Sequence, residues 1–121
     1  MNWIYKNKSF DESMMNNFGF IYKITMNDGM YYIGKKQILN YTYKQIINYN
    51  SSSKFIKENK HNIKSKEILL FTKNKIDTTY NEVKLQFKYN VLEDTMSLNQ
   101  NILGCFYKGR ILNNLTIKNR V

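Results

Sequence analysis

Residues 18–36 read Phe-Gly-Phe-Ile-Tyr-Lys-Ile-Thr-Met-Asn-Asp-Gly-Met-Tyr-Tyr-Ile-Gly-Lys-Lys, which is the pattern of two short strands joined by a tight turn. The first strand has large apolar or aromatic side chains at every second position from Phe18 to Ile24, and the second runs from Met30 to Gly34. Between them, Asn27-Asp28-Gly29 suits a three-residue hairpin loop that is closed by a glycine in the left-handed region. The stretch therefore predicts an antiparallel β-hairpin.

The length of this loop determines which side chains share a face. With three loop residues, Ile24 lies opposite Tyr32, so Tyr22 and Tyr32 are diagonal neighbours on one face of the hairpin. A two-residue loop would place the two tyrosines on opposite faces. The hairpin is thus predicted to present two phenols side by side, with Lys35 and Lys36 just beyond them.

Length and composition predict one folded domain. The chain has 121 residues, of which 42% are hydrophobic, so it can bury a modest core but not a second full domain. Its longest apolar run, Ile68 to Phe71, is too short for a membrane span or a signal peptide. The single cysteine, Cys105, excludes an internal disulfide and suits a reducing compartment. We expect residues 1–121 to be one cytoplasmic domain, with no membrane attachment and no small-molecule cofactor.

Charge is the strongest compositional feature. Lys and Arg total 19 against 9 Asp and Glu, a net charge of +10, and only Arg110 and Arg120 are arginines. Such an excess favours a polyanionic partner, nucleic acid before membrane, because phosphate contacts release counterions. The alternative is a solvated basic surface that reflects AT-rich coding bias. The predominance of lysine favours contacts to the phosphate backbone over base reading.

The rest of the chain predicts short elements around the hairpin. Residues 1–16 form an N-terminal arm with a miniature hairpin that turns at residues 6–8. Trp3 in this arm is either a packing residue or a base-stacking platform. The other predicted elements are helices over 42–49 and 54–60, a third strand over 63–72 and a basic C-terminal tail over 100–121.

The clearest helix is predicted over residues 78–92, with Thr78 or Thr79 as its cap. Its two apolar rows are Tyr80, Val83, Phe87 and Val91, and Leu85, Tyr89 and Leu92. Glu82 lies in line with the second row, so its carboxylate is either partly buried and aimed at a cavity or a simple helix-start acid. The spacing leaves both interpretations open.

Several cations are candidates for phosphate contact. Lysines cluster in the half of the chain that follows the hairpin, and the C-terminal tail adds an arginine. The candidate nucleic-acid-binding residues are Lys35, Lys36, Lys44, Lys54, Lys57 and Arg110. The only histidine, His61, has no second histidine or nearby cysteine and so cannot form a zinc site.

The hairpin resembles the signature of the GIY-YIG nuclease superfamily. Gly19-Phe20-Ile21-Tyr22 is similar to the first motif, with a mild departure, and Tyr32-Ile33-Gly34 matches the second motif fully. The match continues in the helix that contains Glu82 and at Asn99. The opening residues are also similar to those of small phage proteins described as Seg-like homing endonucleases. The resemblance covers nearly all the chain, although residues 37–62 match poorly.

This resemblance implies both a fold and an activity. The fold is α+β, a single GIY-YIG-like domain in which a small three-stranded antiparallel sheet is flanked by helices. The activity is hydrolysis of phosphodiester bonds in DNA, most commonly double-stranded, with one divalent metal, Mg²⁺ or Mn²⁺. In the implied scheme Tyr22 is the general base or its relay, Tyr32 binds the water or the scissile phosphate, Glu82 is the sole metal ligand and Asn99 orients the phosphate. A phenol needs a nearby cation or the metal to serve as a base, because its pKa is high.

One departure concerns the arginine that the family places in the helix after its second motif. Residues 1–109 contain no arginine, so a lysine such as Lys36 or Lys44 would have to supply the catalytic cation, as a point charge rather than a bidentate fork.

Three hypotheses follow: a phage-encoded homing-type endonuclease acting in the host cytoplasm, a non-catalytic nucleic-acid-binding module with the same fold, and a subunit of a homodimer or larger assembly. The joint occurrence of the four implied site residues favours the first, and the missing arginine favours the second.

Overall fold

The structure is a computed structural model, and it describes residues 1–119. Its strands are β1 (Ile4–Tyr5), β2 (Lys8–Ser9), β3 (Gly19–Met26), β4 (Tyr31–Gln37), β5 (Ile63–Thr72), β6 (Asn101–Ile102) and β7 (Phe106–Tyr107). Its α-helices are α1 (Tyr43–Ile47), α2 (Lys54–Glu58), α3 (Lys75–Lys88) and α4 (Lys108–Asn119), and short 3₁₀ helices cover Glu12–Asn16 and Lys60–Asn62. Among the described residues, no helix has the length and apolarity needed to cross a membrane.

The main sheet has five strands in the order β2-β1-β5-β3-β4 and is mixed. The expected three-stranded antiparallel sheet is present as β4, β3 and β5, with β3 between the other two and antiparallel to both. The sheet has two strands more than expected, because the N-terminal hairpin adds β1 and β2 at the open edge of β5. In this addition β1 runs parallel to β5, with Ile4 opposite Glu67. A strand of two residues is too short to leave a periodic pattern in the sequence.

The β3–β4 hairpin has the predicted register. The Met26 N–H donates to the Met30 carbonyl at 2.7 Å, which closes a loop of three residues. Gly29 at the end of this loop has φ +89°, a conformation that costs a glycine little. Ile24 pairs with Tyr32, and the two tyrosines therefore share one face of the sheet.

The N-terminal arm is built into the core of the domain. Its miniature hairpin turns at Lys6 and Asn7, both of which have positive φ. The side chains of Trp3 and Phe10 are 0% and 1% exposed. The Trp3 indole packs edge-on against Phe20 and lies 5.1 Å from the Tyr22 ring, so Trp3 is a packing residue.

The two short helices lie where they were predicted. α1 begins after Thr42, whose hydroxyl accepts from Gln45 N while the Gln45 side chain bonds back to Thr42 N, a complete capping box. α2 begins after Ser53, whose hydroxyl accepts from Ile56 N. In both helices the side chain of one central isoleucine is fully buried.

α3 begins and ends earlier than the predicted span of 78–92. Asn74, not Thr78 or Thr79, is the cap, because its side-chain oxygen accepts from Asp77 N at 2.8 Å while the Asp77 carboxylate accepts from Lys73 N at 2.9 Å. At the other end Asn90 takes φ +53°, and the bonds from Asn90 N and Val91 N to carbonyls of the last turn stop the helix.

Each face of the sheet carries its own apolar core. The first core contains Trp3, Phe10, Phe20, Tyr22 and Ile24, with α1 and α2 packed over it. The second core lies on the opposite face, under α3, and contains Ile21, Tyr31, Ile33, Val91, Leu92 and Ile102. The predicted row of Tyr80, Val83, Phe87 and Val91 joins this core only in part. Val91 is buried in it and Val83 packs against it, whereas Tyr80 and Phe87 are 65% and 49% exposed.

The segment 100–121 begins as a folded unit. β6 and β7 pair as a small hairpin, and α4 follows directly. The Lys108 ammonium holds this unit to the preceding loop by donating to the carbonyls of Asp94 and Ser97. Arg120, which was expected to belong to a basic tail, lies outside the described residues.

Candidate active site

The two phenols of the hairpin form one wall of the site. The rings of Tyr22 and Tyr32 are stacked with centroids 6.1 Å apart and an interplanar angle of 28°. Gly34, directly opposite Tyr22 in the register, makes this arrangement feasible. A Cβ atom there would lie 2.6 Å from the Tyr22 hydroxyl oxygen and 3.0 Å from Tyr32 Cε1. The glycine therefore leaves the space that the Tyr22 ring occupies.

The segment that follows α1 supplies hydroxyl groups to Tyr22. The Tyr22 hydroxyl is 3.0 Å from Ser51 Oγ, a hydrogen bond, and 3.5 Å from the Tyr49 hydroxyl. Tyr22 is 0% exposed, whereas Tyr49 is only partly buried and reaches the surface. Neither Tyr49 nor Ser51 was predicted as a site residue from the sequence, because no local spacing relates them to a tyrosine 27 and 29 residues away.

All three phenols have raised pKa values. Burial is the main cause for Tyr22, Tyr32 and Tyr49, and it raises the pKa of Tyr22 the most. The negative charge of Glu82 raises the pKa of Tyr32 and Tyr49 further, while hydrogen bonding with Ser52 opposes the shift for both. The three phenols are therefore protonated at neutral pH and can donate hydrogen bonds.

Glu82 lies on the face of α3 that packs against the sheet, in a row of polar residues. Thr78, Glu82 and Gln86 follow each other at intervals of four and so share this face. Thr78 and Gln86 are buried and satisfied, by a 2.6 Å bond to Thr72 Oγ1 and a 3.1 Å bond to the Ile33 carbonyl. The row therefore fixes Glu82 against strand β4.

The Glu82 carboxylate is mostly buried, with 17% of its side chain exposed. Burial raises its pKa, and the positive charge of Lys35 acts in the opposite direction. The Lys35 ammonium lies 3.9 Å from Glu82 Oε1, which is longer than a hydrogen bond, and donates instead to Thr79 Oγ1 at 3.1 Å. Lys35 thus offsets the charge of Glu82 without occupying its oxygens at short range.

A groove of about 260 Å³ lies beside Tyr49 and α3, and Tyr22, Tyr32 and Glu82 are not among its lining residues. Its lining residues are Phe18, Lys35, Lys36, Gln37, Tyr41, Tyr49, Lys75, Thr78 and Thr79. The Lys36 ammonium lies over the rings of Tyr41 and Tyr49, 3.5 Å and 4.6 Å from their centroids, in a cation–π arrangement. Three lysines on one groove make it suited to a phosphate backbone.

Asn99 lies apart from the groove. It is 3% exposed, and its amide oxygen accepts from Ile33 N at 3.0 Å while its amide nitrogen donates to the Ile33 carbonyl at 2.8 Å. Both ends of the amide are thus used by the backbone of β4, between the residues Tyr32 and Gly34. In this position Asn99 supports the strand that carries the site.

The other candidate cations are spread over the surface. Lys44 is exposed on α1, Lys54 and Lys57 are exposed on α2, and Lys54 forms a 3.9 Å ion pair with Glu58. Arg110 lies over the ring of Tyr107 at 5.6 Å. These four do not line the groove, whereas Lys75, which was not among the predicted cations, does.

The site offers a divalent metal one carboxylate, that of Glu82. Within residues 1–119, no cluster of three or more His, Cys, Asp or Glu side chains is placed to hold a metal. Glu82 alone fits the habit of Mg²⁺, which keeps several waters and binds through one or two carboxylates together with substrate phosphates.

Comparison with family models gives a match to "Putative endonuclease segE, GIY-YIG domain" over residues 3–111. The match spans both motifs of the hairpin, the segment with Tyr49 and Ser51, and Glu82 on α3. Comparisons with curated proteins and with solved structures each gave no match. The chain therefore belongs to the GIY-YIG family of segE-type endonucleases.

Proposed function

We propose that the protein is a metal-dependent DNA endonuclease that hydrolyses phosphodiester bonds at the site formed by Tyr22, Tyr32, Tyr49 and Glu82. The observation that carries the proposal is the joint position of three phenols and one buried carboxylate beside a lysine-lined groove. DNA is favoured as the substrate by the net charge of +10 and by the three groove lysines. A homing role in a phage, and a homodimeric or larger assembly, are extensions of this proposal.

Glu82 would hold the metal, Mg²⁺ or Mn²⁺. A bound divalent cation supplies positive charge that stabilises the negative charge of the pentacovalent phosphate and of the leaving oxygen. Glu82 is suited to this task because its carboxylate is mostly buried and its only ion pair among the described side chains, with Lys35, is long at 3.9 Å.

The three phenols would transfer the proton of the attacking water and donate a hydrogen bond to the phosphate or the water. Tyr49 lines the groove and Tyr22 lies behind it without access to solvent, so we assign Tyr49 the contact with the attacking water and Tyr22 the role of relay through its 3.5 Å contact. Tyr32, protonated at neutral pH, would donate a hydrogen bond to the phosphate or the water.

Lys36 is our choice for the cation that takes the place of the family's arginine. It is held over the Tyr49 ring at 4.6 Å and lines the groove, so its charge lies where a phosphate would bind. Lys44, the other candidate, is exposed on α1 and does not line the groove. A lysine makes a point contact with phosphate and lacks the bidentate geometry of arginine, so we expect a slow enzyme.

The test is cleavage of supercoiled plasmid DNA with Mg²⁺ or Mn²⁺. Glu82→Ala and Tyr22→Phe should each abolish or strongly reduce cleavage while DNA binding persists. Glu58→Ala and Tyr80→Phe are the matched controls, since Glu58 also forms a 3.9 Å lysine pair and Tyr80 is an exposed tyrosine. Cleavage that survives both site substitutions would refute the assignment of the site.

The second candidate function is a nucleic-acid-binding module without cleavage activity. It is favoured by one observation, the absence of arginine from residues 1–109. Wild-type protein that binds DNA with strong salt dependence but never cuts it, with any divalent metal tried, would establish this function.

A further inference from the structure

A second buried charge lies beneath the site, on the central strand. Lys66 of β5 is 1% exposed, and its ammonium donates to the Ile47 carbonyl at 3.2 Å and to Asn50 Oδ1 at 3.0 Å. The same ammonium lies 4.6 Å from the centre of the Trp3 ring. The first acceptor is the last residue of α1, and the second lies in the segment that links α1 to Ser51.

A buried ammonium is costly, so its partners matter. Burial lowers the pKa of Lys66 to about 8, and at neutral pH the amine is still mostly protonated and can donate to both oxygens. The Ile47 carbonyl belongs to the C-terminal end of α1, where a helix favours positive charge. Trp3 assists at the same place, because its indole N–H donates to the Ile46 carbonyl at 3.0 Å.

The segment held in this way carries the hydroxyls that meet Tyr22. Residues 48–52 contain Tyr49 and Ser51, and Ser51 adopts φ +103° although it is not a glycine. A strained backbone of this kind persists only where its surroundings hold it. Ser51 is 1% exposed, and its hydroxyl bonds both Tyr22 and the Ser53 N–H.

We propose that Lys66 is a positioning residue for the nuclease site: its ammonium tethers the end of α1 to the sheet and thereby places Tyr49 and Ser51 on Tyr22. The inference rests on the proposed function only for its effect on catalysis, because the tether itself is a property of the fold. Lys66 touches neither the groove nor the reacting groups.

The test uses two variants and one matched control. Lys66→Met removes the ammonium and keeps most of the side-chain volume, and Asn50→Ala removes one acceptor without changing the core. Lys64→Met is the control, since Lys64 is exposed two residues earlier on the same strand. Three quantities are measured: amide hydrogen exchange, fluorescence of the single tryptophan, and plasmid cleavage alongside DNA affinity.

In Lys66→Met the amides of Tyr49 and Ser53 should exchange about tenfold faster or more, while those of α3 are unchanged. The emission of Trp3 should shift, because the cation over its ring is lost. Cleavage kcat should fall by about ten- to a hundredfold with DNA affinity within about twofold of wild type, since misplaced groups slow chemistry more than binding. Asn50→Ala should show the same pattern more weakly, and Lys64→Met should match wild type in all three.

Unchanged exchange at Tyr49 and Ser53 in both variants would overturn the tether. Faster exchange there with an unchanged kcat would overturn the positioning role. If wild-type protein cuts no DNA, the proposed function fails, and exchange and fluorescence still decide the tether. If Lys66→Met does not fold, Asn50→Ala decides it alone.

Discussion

Substitution of Gly34 by alanine is the smallest change that should disturb the site. The added Cβ would lie 2.6 Å from the Tyr22 hydroxyl oxygen, 2.7 Å from Tyr22 Cζ and 3.0 Å from Tyr32 Cε1. Carbon atoms in ordinary contact are about 3.5–4.0 Å apart. The Tyr22 ring would therefore have to move by several tenths of an ångström or more.

The surroundings of Tyr22 leave little room for that movement. The ring is 0% exposed, with ring centroids of Trp3 at 5.1 Å and of Tyr49 at 5.9 Å on its other sides. Overpacking of this kind costs about 1–3 kcal/mol. The entropy that alanine removes from the unfolded chain returns about 0.4–1 kcal/mol. We expect Gly34→Ala to lower the free energy of unfolding by about 1–2 kcal/mol.

Urea unfolding and plasmid cleavage measure the two consequences. The urea midpoint should fall by about 0.5–1 M for a denaturant slope typical of a small domain, and cleavage should slow because the Tyr22 hydroxyl leaves its partners. Gly109→Ala is the control, because Gly109 lies in α4 and the added Cβ would point into open space. This control should be neutral or stabilising by up to about 1 kcal/mol. Wild-type stability and cleavage in Gly34→Ala would refute the proposed packing of the two phenols.

Three further predictions concern other buried polar groups. Glu82→Gln should abolish cleavage and, at neutral pH, raise the free energy of unfolding slightly, by less than about 1 kcal/mol in thermal unfolding. The reason is that burial disfavours the charged carboxylate and raises its pKa, while Lys35 offsets only part of this cost. A destabilised variant would contradict this prediction. Asn99→Ala should lower the free energy of unfolding, measured in urea, by about 1–3 kcal/mol, since the Ile33 N–H and carbonyl both lose a partner. A variant of wild-type stability that no longer cleaves DNA would instead indicate that Asn99 contacts the phosphate directly. Burial lowers the pKa of Lys66 from its ordinary value of 10.5 to about 8, so between about pH 8 and 10 the unfolded state binds more protons and stability should rise with pH. The rise should be smaller in Lys66→Met, and an equal pH dependence of the unfolding free energy in the two proteins, measured with urea, would refute the lowered pKa of Lys66.

The local part of the fold was predictable, and the long-range part was not. The register of β3 and β4 follows from a three-residue loop, so Tyr22 and Tyr32 could be placed on one face from residues 18–36 alone. The start of α3 was also encoded locally, by Asn74 and Asp77 in a capping arrangement, but the apolar rows drew the prediction towards Thr78.

The parts of the site that were missed depend on contacts between distant segments. Tyr49 and Ser51 reach Tyr22 from a segment that follows α1, and the end of α1 is hydrogen-bonded to Trp3 and Lys66. A lysine and a serine in a lysine- and asparagine-rich chain give no signal of such a role. Asn99 was selected through the resemblance to the family, and the structure places it on the backbone of β4.

The outer edge of β4 explains why a carboxylate is buried beside the phenols. An edge strand needs partners or cover for its N–H and carbonyl groups, and at Ile33 the amides of Asn99 and Gln86 provide them. Gln86 comes from the buried face of α3, and Glu82 lies one turn earlier on that face. The polar row that covers the edge therefore also brings the acid to it. An apolar face on α3, which the sequence periodicity favoured, would pack against the sheet but would supply neither the amide that satisfies Ile33 nor a metal ligand beside the groove.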